Sequence, residues 1–127
     1  MVCRMTVTHA SFVTVPVTDQ DRALRFYTEV LGFEVSADLD MPQGRWLQVA
    51  PRGAQTVFTL SGPGMGDFEP GSTRGIMLVT TDVDADCARL AGAGVSVQGP
   101  DDLPWGRMVS FQDPDGNGLM LLTEAQG

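Results

Sequence analysis

The sequence has one histidine, His9, and two cysteines, Cys3 in the N-terminal tail and Cys87 in a predicted helix. A site built from two imidazoles and a carboxylate cannot be assembled from one such chain, and the cysteines lack the CxxC spacing of a zinc knuckle or a redox pair. Basic charge is also scarce: eight Lys and Arg stand against sixteen Asp and Glu, for a formal net charge of −8. The basic residues are scattered, which argues against nucleic acid and against anionic membrane surfaces, since both need grouped cations. No apolar run approaches the length of a membrane span, and MVCRMTVTHASF lacks the apolar stretch of a secretory signal. The expectation is a cytoplasmic protein with reduced cysteines.

What is present is material for one ordinary domain, 127 residues with 43% hydrophobic side chains, enough to bury a core without disulfides or structural metals. Residues 10–17 are rich in Val, Thr and Phe and read as a strand that ends near Pro16. In the following TDQDRALRFYTEVLG, Thr18 and Asp21 stand at capping-box spacing, and Ala23, Leu24, Tyr27, Val30 and Leu31 recur at helical intervals. Gly32 falls where a left-handed cap is wanted, so the helix is predicted from about Asp19 to Leu31. FEVSADL, RWLQVA (45–50) and QTVFTL (55–60) are predicted strands, the last two joined as a hairpin. SGPGMGDFEPGSTRG, residues 61–75, holds too much Gly and Pro for an element interior and reads as a loop.

The order then repeats. GIMLVTT is a strand, DVDADCARLAGAG a short helix, and VSV, GRMVSFQ and GLMLLTE are strands, the last two joined by the turn QDPDGNG. VPVTDQDRALRFYTEVLGFEV corresponds to LVTTDVDADCARLAGAGVSV, with Asp19 matching Asp82 and Gly32 matching Gly94. Such an internal repeat indicates two copies of one unit, neither able to close its own core. The fold class is α+β: two βαβββ modules, about 8–61 and 75–124, joined by a loop over 62–74 in a single domain spanning 1–127.

DRALRFYTEVLGFEV and FQDPDGNGLMLL resemble the vicinal-oxygen-chelate superfamily, which includes glyoxalase I, bleomycin-resistance proteins and extradiol dioxygenases. The resemblance covers nearly the whole chain. It implies a curled mixed sheet forming an open cup, with helices on the outside and two chains paired as a homodimer. In metal-dependent members, His and Glu side chains on cup-facing strands hold a divalent ion. Carried onto this sequence, the four ligand positions fall on Phe12, on a strand residue near Val57 to Thr59, on Gly75 and on Met120. From Met41 to Gly66 there is no Asp, Glu, His or Cys, so no register of the fourth strand supplies a ligand of the usual type. His9 stands three residues before Phe12, an odd separation that in a regular strand puts it on the opposite face. No metal and no cofactor is expected.

The cup-facing residues this register implies are Phe12, Thr14, Met77 and Met120, with Trp46 and Gln48 from the third strand and Phe58 or its neighbours from the fourth. Trp105 and Arg107, close together in WGR, are added as contacts for a planar or anionic ligand. The same residues also read as ordinary core and solvated strand ends. No nucleophile stands beside an evident base, so no catalytic residue is assigned. The leading expectation is a metal-independent protein that binds an aromatic or amphipathic small molecule. Behind it stand a metal-free lyase or isomerase on the same fold, then a metal-dependent lyase or dioxygenase with an unusual ligand set.

Overall fold

A computed structural model describes residues 5–125; Cys3 lies outside them. Eight strands and two helices follow the predicted order in two halves. The first comprises β1 (Phe12–Pro16), α1 (Gln20–Arg25), β2 (Glu34–Met41), β3 (Gly44–Ala50) and β4 (Val57–Ser61). The second comprises β5 (Ile76–Val79), α2 (Val83–Gly92), β6 (Val97–Leu103), β7 (Gly106–Gln112) and β8 (Gly118–Glu124). Each half forms a four-stranded sheet, β1-β4-β3-β2 and β5-β8-β7-β6, in which the outer pair β1/β4 or β5/β8 is parallel. The cup is therefore two curved sheets without a common ladder.

Period-two alternation sorts each strand into a face toward the helices and a face toward the cup. Val15, Leu47, Val49 and Leu60 are fully buried on the helix side of the first sheet, and Val109, Phe111, Leu119 and Leu121 are their counterparts on the second. All belong to one apolar cluster with Phe26, Tyr27 and Leu90 of the helices.

The first helix departs from the sequence expectation at both ends. Its N-cap is Asp19, whose carboxylate accepts the Arg22 amide at 3.1 Å, rather than a Thr18 capping box. Thr18 is drawn off instead: its amide and hydroxyl both donate to Asp115, 97 residues away. Beyond Arg25 the helix widens into a π turn over Phe26–Val30, closed by Leu31 N–H donating to the Phe26 carbonyl. Gly32 takes the predicted left-handed conformation (φ 77°). In the second half, the strand predicted at VSV begins only at Val97 and runs to Leu103. A register shift between Gln98 and Asp101 bends it, matching a shift between Val35 and Ala37 in β2. Both irregularities fall on sheet-edge strands, where they interrupt a ladder that would otherwise pair with other chains.

The turn joining β7 and β8 fastens the halves together. Asp113, buried, accepts the Tyr27 hydroxyl at 2.9 Å, the Asn117 side-chain amide and the backbone amides of Asp115 and Asn117. Asn117 also donates to the Pro16 carbonyl at the end of β1. Burial and the adjacent Asp113 carboxylate push the Tyr27 pKa far above its ordinary value. The 62–74 loop reaches the same junction: a Cβ on Gly71 (φ 77°) would collide with the Asp115 carbonyl, so only glycine fits.

Candidate functional site

The cup-side face of the first sheet brings together four of the residues named from sequence. Phe12 and Trp46 meet edge to face, ring centroids 5.6 Å apart at 90°, the geometry that the ring quadrupoles favour. Gln48 donates to the Thr59 hydroxyl at 3.0 Å, and Thr59 pairs with Thr14 across the β1/β4 ladder. Leu39, opposite Trp46 on β2, and Met41 at the end of that strand extend the apolar surface; both are exposed. Strand alternation alone could have placed these two, once β2 was paired with β3.

On the second sheet, Met77 pairs with Met120, and Met120 in turn with Ser110. These side chains face the cup, as does Met108. A concavity of about 730 Å³ at one end of this sheet takes in Gly75, Ser110 and Met120, with Gln98, Gln112 and Arg74 among its walls. A Cβ on Gly75 would touch nothing within 4 Å, so this glycine leaves space rather than filling it. The sequence reading missed the amide and hydroxyl groups. Counting back from DPDGNG along the β7/β8 hairpin would have put Ser110 and Gln112 beside Met120 and Gly118.

Three residues named from sequence stand elsewhere. Phe58 points to the helix side, buried and stacked on Phe33 at 5.9 Å, because the cup-facing positions of β4 are its neighbours Val57 and Thr59. Arg107 also lies on the helix side, where it grips Asp84 at the start of α2 and Asp102 of β6 at 3.0 and 2.9 Å. Hydrogen bonds to those two carboxylates raise its pKa, so it is a fastener rather than a ligand contact. Asp102, on the edge strand β6, is part of that clamp. Trp105 sits at the tip of the β6–β7 turn, 59% exposed, away from the sheet face.

The four positions onto which the family resemblance carries the metal ligands hold Phe12, a cup-facing β4 residue (Val57 or Thr59), Gly75 and Met120. Even with Thr59, one hydroxyl and one thioether are not a donor set for a divalent ion of the Fe, Ni or Zn type, so the residues do not fit the metal. His9 lies ahead of β1 in an exposed segment, its ring nitrogen 2.8 Å from the Thr8 hydroxyl. Among the described residues, no group of three or more His, Cys, Asp or Glu is placed to hold an ion.

Paired βαβββ modules with open concave faces define a glyoxalase-like protein. The chain belongs to the Glyoxalase/Bleomycin resistance protein/Dioxygenase superfamily, whose model matches residues 8–121. It is similar to TnmS3, an antibiotic-binding protein from Streptomyces sp. CB03234, with 49% identity, 96% of this chain and all of that one covered, and a TM-score of 0.88. A superfamily member from Sphaerobacter thermophilus DSM 20745 is 37% identical, over 94% of this chain and 100% of that one, with a TM-score of 0.87. An uncharacterized protein of Bacillus subtilis (strain 168), YetH, is 35% identical over 111 residues, 86% of this chain and 92% of that one.

Proposed function

We propose that this protein is a metal-independent small-molecule-binding protein that holds an aromatic or amphipathic ligand against the Phe12–Trp46 face. The observation that carries the reading is the composition of the cup: an aromatic pair, methionines and a few amides line it, and Phe12, Gly75 and Met120 stand where the family resemblance puts metal ligands. Such a wall, apolar with a small number of orienting polar groups, has the character of a ligand pocket. The likeness to an antibiotic-binding protein at 49% identity supports it. No helix among the described residues is long and apolar enough to cross a membrane, and the reading places the protein in the cytoplasm.

The two concave faces are open in the single chain, with Phe12, Leu39, Met41, Met77 and Val79 all exposed. A homodimer that sets the first sheet of one chain against the second sheet of its partner covers these apolar surfaces and completes the pocket. The ligand then lies between an aromatic wall and a thioether-and-amide wall.

The test uses a Trp105→Phe variant, which leaves Trp46 as the sole indole. Its fluorescence is titrated with planar aromatic antibiotics, with and without EDTA, and sedimentation is recorded in parallel. Saturable quenching that EDTA does not change, on a dimeric species, is the expected result. Loss of binding on chelation, or the absence of saturable quenching across the panel, overturns the reading.

A further inference from the structure

Behind the second sheet, on the side away from the cup, the two modules enclose a separate cavity of about 280 Å³. Leu78 and Leu121 line it from the helix face of the sheet, with Val79 at the end of β5 on its edge, while Met77 and Met120 face the cup. Leu31 and Phe33, which follow the π turn of the first helix, form the opposite wall, and Leu90 of α2 closes it. Phe33, Leu90 and Leu121 are buried, so the floor is apolar. π turns of this kind recur at functional sites, because the extra residue opens a gap beside the helix.

The rim has the opposite character. Arg52, from the β3–β4 turn, is exposed and makes no ion pair among the described residues. Arg89 of α2 is largely exposed and lies 3.9 Å from Asp86, the outer limit of an ion pair. Asp86, the third charged group lining the cavity, is engaged by the Thr80 hydroxyl. The rim thus carries one net positive charge, with two guanidinium groups free to turn, on a chain whose net charge is −8. Guanidinium pairs carboxylate through two parallel hydrogen bonds, so these side chains suit an anionic head above an apolar body.

We infer that this cavity is a second ligand site, for a small amphiphile carrying a carboxylate. At about 30 Å³ per water-sized group, its volume takes roughly nine non-hydrogen atoms, the size of a medium-chain fatty acid or a small aromatic acid. The site is independent of whatever the cup holds, although only one sheet separates the two.

Octanoate is the probe, titrated into the full chain while methyl and indole resonances are followed by NMR. Saturable shifts at the Leu31, Leu78 and Leu90 methyls, with the Trp46 indole unmoved, are expected. The double variant Arg52→Glu/Arg89→Glu changes only exposed side chains and should weaken octanoate by about tenfold, the sum of two exposed charge contacts, while leaving octanol binding unchanged. Leu31→Trp, a filling change at a partly exposed position, should abolish the shifts in a chain whose spectrum remains folded. The inference is overturned if no saturable shift appears at those methyls, if the shifts centre on Trp46, if octylamine binds as well as octanoate, or if octanoate still binds the filled variant.

Discussion

The segments GRWLQVA in β3 and GRMVSFQ in β7 occupy equivalent places in the two halves; the helix-facing positions keep their character, an arginine followed by buried apolar residues, and the cup-facing positions do not. On the helix side they agree. Arg45 holds Asp21 of α1 at 2.7 Å and Asp38 of β2 at 2.8 Å, as Arg107 holds Asp84 and Asp102. Two residues on, Leu47 and Val109 are both buried. On the cup side, Trp46 stands opposite its counterpart Met108, and Gln48 its counterpart Ser110. Positions that fasten helix to sheet are alike because both halves solve the same packing problem. Positions that face the cup carry no such constraint, and there one half is aromatic and the other is thioether and hydroxyl.

The strand connections differ more sharply, and breaking the richer one should produce the largest effect. In the first half, the β3–β4 turn at Pro51–Ala54 is closed by one backbone hydrogen bond, Ala54 to Pro51. In the second half, Asp113 gathers four donors in a buried setting. Asp113→Ala leaves the Tyr27 hydroxyl and turn amides without partners and should cost about 3 kcal/mol, read from urea unfolding. Arg52→Ala in the sparse turn should stay within about 0.5 kcal/mol. Equal costs would show that the DPDGNG turn is not the clasp between the halves.

The cup walls give the next comparison. Trp46→Ala removes the larger aromatic surface and should weaken ligand binding by about thirtyfold, the effect of losing a buried aromatic anchor of about 2 kcal/mol. Met108→Ala, its counterpart, should weaken it by no more than about threefold, since a flexible thioether is more readily replaced by its neighbours. A reversed order, measured by calorimetric titration with an antibiotic that binds the wild type, would move the binding wall to the second sheet.

Much of this division was legible in the residues. The repeat, the match of Asp19 to Asp82 and the left-handed Gly32 and Gly94 follow from period and punctuation, and the family resemblance set the strand face on which Phe12, Trp46, Gln48 and Met77 stand. What was not legible depends on contacts distant in sequence. Thr18 looks like a capping residue until Asp115 arrives from the other half and takes it. Arg107 looks like a ligand contact until the α2 N-terminus brings Asp84 to it. Phe58 was lost to a one-residue register choice, which inverts every side chain of a strand. The π turn over Phe26–Val30 carries no signal in the helical period, and Tyr27 within it reaches across to Asp113 of the other half.

That reach gives a pH dependence specific to the junction. Tyr27 is the chain's one tyrosine, and its pKa is raised by burial and by Asp113. The unfolded chain ionises near pH 10 while the folded chain keeps the proton, so stability is full below that value and is lost as pH rises above it. The slope is about 1.4 kcal/mol per pH unit. Stopped-flow absorbance at 295 nm should show phenolate appearing only with unfolding. Tyr27→Phe should remove the alkaline decline at a cost of about 1 kcal/mol at neutral pH. A phenolate that appears in the folded protein near pH 10 would contradict the buried junction.

The smallest effects come from the two arginine clamps, where the halves are most alike. Arg45 is 24% exposed and Arg107 37%, and their carboxylate partners are more exposed still, so water and salt screen both. Arg45→Ala should cost about 0.5 kcal/mol, and Arg107→Ala less. The hydrogen bond from Arg45 holds the Asp38 carboxyl below the usual aspartate range. That contribution is present above the unfolded pKa near 3.9 and fades as pH falls below it. At 1 M NaCl the difference between wild type and Arg45→Ala should shrink toward zero. If it does not, Arg45 acts through the packing of its stem beside Gln20, which donates to the Arg45 carbonyl at 3.0 Å, and the likeness of the two clamps is then one of shape rather than of charge.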